Sequence, residues 1–371
     1  MYKTNFYEKL KENYWLNYIL YIFIIYVAVL FYSKYMGINN PYSDGITHWN
    51  HSQTFYPFDV FHVPVFVFSI GLLRIFLETF ISPLGIIQIV LFFYFFISII
   101  YIYKSVNILC IDRKISTSLV FLFFLWPFIG VTSAIIPGSD YVAIALFSIG
   151  VFYMLSNELH IGAIFFGFTI LAHKAMWPIT FFIFSFHFIK FYKTLKIRTV
   201  FIYIILYLTP LIILWIFGSI HHNNIYWIIE SNIRNELSPD GSIFLFDGLI
   251  GPILNSFDFI AIVKWLLIIS IFVLSIILLK KLYPYNDPGW SICMGILTAI
   301  ILYCAIIEEY EIWAIVRYGR LLVFPVALFA GKHFNYTINF QNKYIFSSLI
   351  VLLSLSQFIF IRYVKFYMDI N

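Results

Sequence analysis

The chain of 371 residues has little charge, since only 11% of its residues are Asp, Glu, Lys or Arg. A soluble globular domain carries about 25% charged residues because its surface must be solvated. Apolar residues make up 62% of the chain, and the mean hydropathy is +0.91. The composition therefore excludes a soluble globule and a disordered chain. It predicts a protein embedded in a lipid bilayer.

Cysteine is also scarce. Cys110, Cys293 and Cys304 lie in or beside apolar runs and show neither CxxC nor metal-site spacing, which excludes a disulfide scaffold. The net charge of +5 is modest and no dense basic run exists, so nucleic acid is not an expected partner. A glycine-rich phosphate loop, GxSxG and HExxH are absent. Paired, broken helices of the kind found in many transporters are absent as well.

Long apolar runs, in contrast, follow one another along most of the chain. A membrane-spanning helix needs about 20 predominantly apolar residues. The sequence therefore predicts an all-α polytopic membrane protein with about 11 transmembrane helices. The predicted spans are 15–32, 84–103, 117–136, 140–156, 159–173, 176–189, 199–219, 259–279, 290–307, 318–334 and 345–362.

One further apolar stretch, 63–80, contains Arg74 and Glu78, which an i,i+4 spacing places on one helical face as a pair. A charge near the bilayer centre costs at least ~3 kcal/mol. If this stretch lies at the interface and the N-terminus is cytoplasmic, most basic residues face the cytoplasm, as the positive-inside rule requires. The first apolar run lacks a cleavage site and is predicted to be a retained signal anchor. We therefore expect a multi-pass protein of the inner or plasma membrane.

The chain contains no linker or repeat that would separate a soluble domain, so residues 1–371 are predicted to form a single integral membrane domain. This topology gives two long external loops, 33–83 and 220–258. The first contains the interfacial helix. Loops of more than about 12–15 residues in a compact domain are usually functional, so the chemistry is predicted to lie on the outer side.

The first external loop has the densest cluster of polar and aromatic residues, PYSDGITHWNHSQTFYPFDVFHVP. On a helix, Asp44, His48 and His51 would share one face through i,i+4 and i,i+3 spacing. This arrangement could provide a carboxylate base flanked by hydrogen-bonding imidazoles. It could equally ligate a transition metal, and Asp44 could simply cap the helix. The residues alone leave these three readings open.

Two other external positions carry polar residues near helix ends. In LAHKAMWP, His173 and Lys174 offer a donor and a cation at the membrane boundary, with Pro178 opening the next helix. A lysine there could also do no more than snorkel towards the headgroups. In PGSDY, Asp140 follows a tight turn, and its position predicts an N-terminal helix cap.

A pair of arginines, Arg317 and Arg320, lies one helical turn apart in EEYEIWAIVRYGR. Arginine on the outer side opposes the positive-inside rule, so we expect some interaction to retain it there. Guanidinium groups bind phosphate oxygens bidentately, which would make a phosphate ligand a sufficient reason. An internal ion pair with Glu308, Glu309 or Glu311 would be another.

The overall plan resembles the GT-C superfamily of integral-membrane glycosyltransferases, which includes protein O-mannosyltransferases and GPI mannosyltransferases. The likeness rests on a cytoplasmic N-terminus and on a long first external loop with an early acid, here in SDGITHW. The following FYPFDVFHVPVFVFSIGLLR is similar to the stretch that enters the loop helix in those enzymes. HKAMWP resembles a basic-then-proline segment, and RYGRLLVFPVALFAG resembles a late Arg-Tyr helix entry.

This resemblance implies transfer of a hexose such as mannose from a polyprenyl-phosphate donor to a glycan, lipid or protein acceptor, with inversion. Asp44 would be the base or its orienting carboxylate. The implied substrate-binding residues are His48, His51, His173, Lys174, Arg317 and Arg320. Gly45 follows Asp44 where many members have a second acid, so a divalent metal stays an open question and no cofactor is assigned. A polysaccharide repeat-unit polymerase or flippase and a transporter are the alternative functions.

Overall fold

The computed structural model describes residues 14–40, 44–53, 64–136, 138–173, 176–227, 288–306, 319–333 and 343–370, with a few isolated helical residues between 269 and 280. The elements in these ranges are all helical. The helices are α1 Tyr14–Tyr35, α2 Asp44–Gln53, α3 Pro64–Leu77, α4 Pro83–Leu109, α5 Arg113–Phe124, α6 Asp140–Leu155, α7 Leu159–Ala172, α8 Met176–Phe191, α9 Ile197–His222, α10 Pro288–Ile306, α11 Val323–His333 and α12 Lys343–Ile370. Short 3₁₀ turns lie at Val131–Ala134 and Gly319–Leu322.

Four helices are long and apolar enough to cross a membrane, namely α1, α4, α9 and α12. Several others are shorter. The 16 residues of α6 extend about 24 Å, against about 30 Å for the hydrocarbon core. The structure thus supports a helical membrane protein, whereas the count of eleven spans stays a prediction. Most of the predicted span 259–279 and of the loop 220–258 lies outside the described residues.

Helix α6 lies at the centre of the bundle. All its residues from Tyr141 to Val151 are buried, which is typical of a helix that is apolar on every face. It packs most extensively against α4 and α7. Its contact with α7 depends on two glycines, since a Cβ at Gly162 would lie 3.0 Å from the carbonyl oxygen of Gly150. Small residues of this kind let membrane helices approach closely.

The predicted helix 117–136 is wrong in its second half. Helix α5 ends at Phe124 and is followed by turns and a single 3₁₀ turn, here called segment 125–136. Pro127 accounts for the end of the helix, because proline disfavours helical conformation in the preceding residue and lacks an N–H. Phe128 has a positive φ of 68°, which the helix could not accommodate. The chain therefore carries irregular backbone where the sequence predicted a continuous span.

Candidate functional site

Helix α2 carries the first set of predicted site residues. It begins at Asp44 and continues to Gln53, so the prediction that Asp44, His48 and His51 share one helical face is confirmed for the backbone. The imidazole of His48 is 4% exposed and meets the Phe66 ring edge-on, with centroids 5.1 Å apart. His51 is half-buried. The side chain of Asp44 lies outside the described residues, so its three predicted roles stay open.

Arg74 of α3 fastens α2 to α3. Its Nε lies 2.8 Å from Oε2 of Glu78, which confirms the predicted i,i+4 pair. Its guanidinium carbon lies 5.5 Å from the centroid of the Trp49 ring, and its Nη1 donates to the carbonyl of Ser52 at 3.4 Å. The planar guanidinium of arginine can pair with a carboxylate, stack on a ring face and donate to a carbonyl at the same time, which a lysine ammonium cannot do. This contact fixes the position of the helix that begins at Asp44.

Segment 125–136 is the second part of the site, and its backbone polar groups are bonded by side chains from neighbouring helices. The amide of Gln357, on α12, donates to the carbonyl of Trp126 at 3.0 Å and accepts from the N–H of Thr132 at 3.3 Å. Gln88, on α4, donates to the carbonyl of Ile135 at 3.4 Å. Non-helical backbone at membrane depth is tolerated only where it is buried in protein or lines a water-filled cavity.

Arg320 lies against this segment. It belongs to the 3₁₀ turn that precedes α11, and its neighbour Gly319 approaches Trp126 so closely that a Cβ would lie 2.9 Å from Cζ2. The guanidinium carbon of Arg320 lies 5.1 Å from the Tyr141 ring centroid and 5.7 Å from that of Phe123. The residue is only 1% exposed. Two aromatic faces therefore enclose a cation that solvent does not reach.

Much of the hydrogen-bonding capacity of Arg320 is unused among the described residues. Within the part of the chain that the structure describes, neither its Nε nor its Nη1 has a hydrogen-bond partner. Among those residues, no carboxylate pairs with it either. Burying an unpaired charge is costly, and cation–π contacts offset only about 0.5–2 kcal/mol of that cost. Such a guanidinium is well suited to bind an anion, because its N–H groups can donate two parallel hydrogen bonds to the oxygens of a phosphate.

Asp140, which precedes Tyr141 in the chain, approaches an imidazole at the end of α7. Short connections make α6, α7 and α8 run antiparallel, so the start of α6 and the end of α7 fall at the same end of the bundle. There, Nε2 of His173 lies 4.0 Å from Oδ1 of Asp140, and the two side chains are 19% and 14% exposed. The hydroxyl of Tyr141 donates to the carbonyl of Gly130, in segment 125–136, at 3.0 Å. We call Asp140, Tyr141, His173 and Arg320 the arginine cluster.

The prediction that Asp140 is a helix cap is wrong. The N-cap of α6 is Ser139, which makes no side-chain capping bond, and Asp140 is the first helical residue. A carboxylate at that position still benefits from the helix dipole. Its side chain approaches His173 instead of closing the helix end. This pairing has no signal in the sequence, because 33 positions separate the two residues.

The α2–α3 pair and the arginine cluster lie at the same end of the bundle. Phe66 contacts His48, and the adjacent Val65 packs against a small apolar cluster that contains Leu171, two residues before His173. The structure thus brings His173 and Arg320 into one cluster, with His48 and His51 on the adjoining helix hairpin. Lys174, Arg317 and the three candidate glutamates of 308–311 lie outside the described residues.

Metal binding was left open by the sequence. In the described ranges, no three His, Cys, Asp or Glu side chains converge on a common point. The metal reading of Asp44, His48 and His51 stays a prediction, since the carboxylate it needs is not described. What the arginine cluster offers chemically is one buried cation for an anion, together with a carboxylate–imidazole pair that adjoins Tyr141 in the chain.

The fold defines a class, that of helical membrane proteins with irregular backbone and a polar cluster at one end of the bundle. Comparisons of the chain with protein-family models, with curated proteins and with solved structures found no match. The functional argument therefore rests on the residues themselves.

Proposed function

We propose that this chain is a membrane glycosyltransferase of the GT-C type. It moves a hexose, for instance mannose, from a polyprenyl-phosphate donor to a glycan, lipid or protein acceptor on the outer or lumenal face. The observation that carries the proposal is the buried Arg320, whose Nε and Nη1 have no hydrogen-bond partner among the described residues. A sugar carried on a lipid phosphate presents its anion at headgroup depth, and its isoprenoid chain fits between apolar helices.

The reaction requires stabilisation of a leaving phosphate. The acceptor oxygen attacks the anomeric carbon, the bond from that carbon to the phosphate oxygen breaks, and the electron pair leaves with the polyprenyl phosphate. Charge therefore grows on the phosphate as the reaction proceeds. A preorganised guanidinium in a water-excluded site favours that charge more than solvent would. Arg320 has this role in the proposal, with Arg317 and Lys174 as further cations on the same ligand.

The proton of the acceptor hydroxyl needs a base. Asp44 has this role in the proposal, and the direct displacement inverts the anomeric configuration. His48 and His51 follow Asp44 on the same face of α2 and would bind the sugar or tune the carboxylate. Arg74 acts indirectly, by holding α2 in place.

A second candidate function is a polymerase or flippase for polysaccharide repeat units, in the same membrane orientation. The observation that favours it is again Arg320, because lipid-linked oligosaccharides also carry phosphate that a basic outer site can bind. The two functions differ in what they require of Asp44. A transferase needs Asp44 as the base for the incoming hydroxyl, whereas a flippase forms no glycosidic bond and needs no base. A repeat-unit polymerase does form a glycosidic bond, and in that case Arg317 or Arg320 is expected to matter more than Asp44.

The deciding experiment is transfer by purified protein in detergent. Wild type, Asp44→Asn and Arg320→Gln are incubated with radiolabelled polyprenyl-phosphate hexoses and a membrane lipid extract, and Arg198→Gln serves as a control at an exposed arginine. We expect labelled product from wild type and the control, with losses of at least about a hundredfold in the two site variants. Full activity of Asp44→Asn would show that Asp44 is not the catalytic base. Absence of transfer from every donor would refute the transferase.

A further inference from the structure

The outward face of α8 has the pattern of a helix surface that meets lipid directly. Trp177, Phe181, Ile189 and, just beyond the end of the helix, Tyr192 lie on this face, and each is more than half exposed. Ser185 lies among them and donates its hydroxyl to the carbonyl of Phe181, as hydroxyls in membrane helices commonly do. Trp and Tyr side chains concentrate at the two interfaces of a bilayer. The face therefore has an interfacial aromatic residue at each end and apolar surface between them.

These two aromatic residues are too close together for a bilayer of ordinary thickness. Trp177 and Tyr192 are 15 positions apart, which corresponds to about 22 Å along a helix. The hydrocarbon core of a typical bilayer is about 30 Å thick. Lys193 is exposed, its ammonium lies 5.6 Å from the centroid of the Tyr192 ring, and it marks the inner interface. At α8 the outer interface would then lie about 8 Å below its usual level.

Contacts between α4 and α6 show independently that the bundle is uneven at its outer end, in the orientation predicted from the sequence. The Phe95 ring of α4 meets the ring of Tyr141, the second residue of α6, edge-on at 5.1 Å. From Phe95, α4 continues outward to Pro83 over about 18 Å. Near the inner end, the Tyr101 and Phe152 rings lie 5.5 Å apart, and both helices end within about two turns of that contact. The two helices thus reach a similar inner level, but α6 stops far below the outer end of α4.

Helices α8 and α9 differ in the same way. The hydroxyls of Thr180 on α8 and Tyr207 on α9 lie 2.9 Å apart. Outward from this contact, α9 continues to His222 over about 22 Å, whereas α8 extends only about 6 Å to Met176. Phe217, in the outer part of α9, is more than half exposed. Lipid-facing apolar surface therefore reaches much further out on α9 than on α8.

We propose that the bilayer is locally thinned at α8, with its outer headgroup plane drawn down to the level of Trp177. A membrane adapts in this way to a short apolar helix face. Trp177 lies four positions after His173, at the end of the bundle where Tyr141 contacts Arg320. Headgroup phosphates on this side therefore lie at the depth of the arginine cluster. This consequence rests on the proposed function, since it concerns the depth at which a donor phosphate approaches Arg320.

The test measures depth in a bilayer and contains no donor. The fluorophore NBD is attached to Trp177→Cys, Phe181→Cys and, as the matched control on α9, Phe217→Cys. The background is Cys304→Ala, because Cys110 and Cys293 are buried, and this background without a new cysteine gives the labelling blank. Each variant is reconstituted in dioleoyl-phosphatidylcholine vesicles that contain lipids with a quenching doxyl group either near the headgroup or near the end of the acyl chain.

Counted from the contact between Thr180 and Tyr207, position 217 lies about 10 Å nearer the outer end than position 177. We nevertheless expect the labels at 177 and 217 both to be quenched more by the shallow doxyl group than by the deep one. The label at 181, about one turn below 177, should show a lower ratio of shallow to deep quenching than the label at 177.

Stronger quenching by the deep doxyl group at 177, with shallow quenching at 217, would show that the bilayer is not thinned and would overturn the proposal. Quenching of the 177 and 181 labels by neither lipid would show that protein, such as a second copy of the chain, covers this face, and would also overturn it. If Trp177→Cys does not elute as wild type does in size-exclusion chromatography, the label at 181 decides, since in an unthinned bilayer it lies about 16 Å below position 217. None of these results bears on transfer in detergent, so the proposed function is tested separately.

Discussion

Gln357 offers a sharp test of how the irregular backbone of segment 125–136 is stabilised. Its amide is fully buried and bonds the carbonyl of Trp126 and the N–H of Thr132. Gln357→Leu has a similar size and leaves both backbone groups without this partner. Each orphaned group costs about 1–3 kcal/mol, so the free energy of unfolding should fall by about 2–6 kcal/mol. For a chain of 371 residues, an unfolding entropy near 2.1 cal/mol/K per residue converts this loss into a Tm lower by about 3–8 °C.

The measurement is thermal unfolding in detergent, followed by fluorescence-detected size-exclusion chromatography. Ser348→Leu serves as the control, because Ser348 lies on the same helix with its side chain exposed. We expect the control to unfold at the wild-type temperature. If Gln357→Leu does so as well, the amide does not stabilise the segment, and the assignment of its two hydrogen bonds as the structural support of the site fails.

Two further substitutions test the packing around the site. Gly167→Val should prevent folding or lower the Tm strongly, because a Cβ there would lie 2.3 Å from the carbonyl oxygen of Tyr207, and the backbone cannot move aside. Gly138→Ala is the control, since a Cβ there meets nothing nearer than 3.9 Å, and it should be tolerated. Size-exclusion profiles of the two variants measure the difference. Arg74→Lys keeps the positive charge but loses the planar guanidinium, so sugar transfer should fall several-fold. The control variant Arg198→Lys should stay active. Equal activity of the two variants would show that the α2–α3 contact does not position the site.

The sequence predicted the helices well where apolar runs were uninterrupted. The expected spans 15–32, 84–103 and 199–219 correspond to α1, α4 and α9, because hydropathy alone specifies such helices. It failed at 117–136. The run is predominantly apolar, yet Pro127 ends the helix and side chains from α4 and α12 bond the freed backbone. Those partners are distant in the sequence, so hydropathy could not reveal them.

The site was predicted in part for the same reason. Arg320 was identified because an arginine on the outer side opposes the positive-inside rule. This reasoning depends only on composition and topology. Asp140 was interpreted as a cap from its local turn, since its approach to His173 requires the antiparallel pairing of α6 and α7. Tyr141 gave no signal at all. An aromatic residue inside an apolar run is ordinarily part of the core, and its contact with Arg320 is a property of the fold.

The surroundings of Arg320 argue against a purely structural role for this residue. A structural arginine in a bundle is normally paired with carboxylates or bonded to carbonyls. Arg74 forms an ion pair with Glu78 and donates to the carbonyl of Ser52, although its Nε makes no hydrogen bond among the described residues. Arg320 has aromatic faces instead, and in the described residues two of its nitrogens are unbonded. Replacing Arg320 by an apolar residue of similar volume would remove the free-energy cost of burying its charge. An anion bound at the site would offset the cost of burying this charge, so the stability measured with polyprenyl phosphate present should rise more in wild type than in Arg320→Gln.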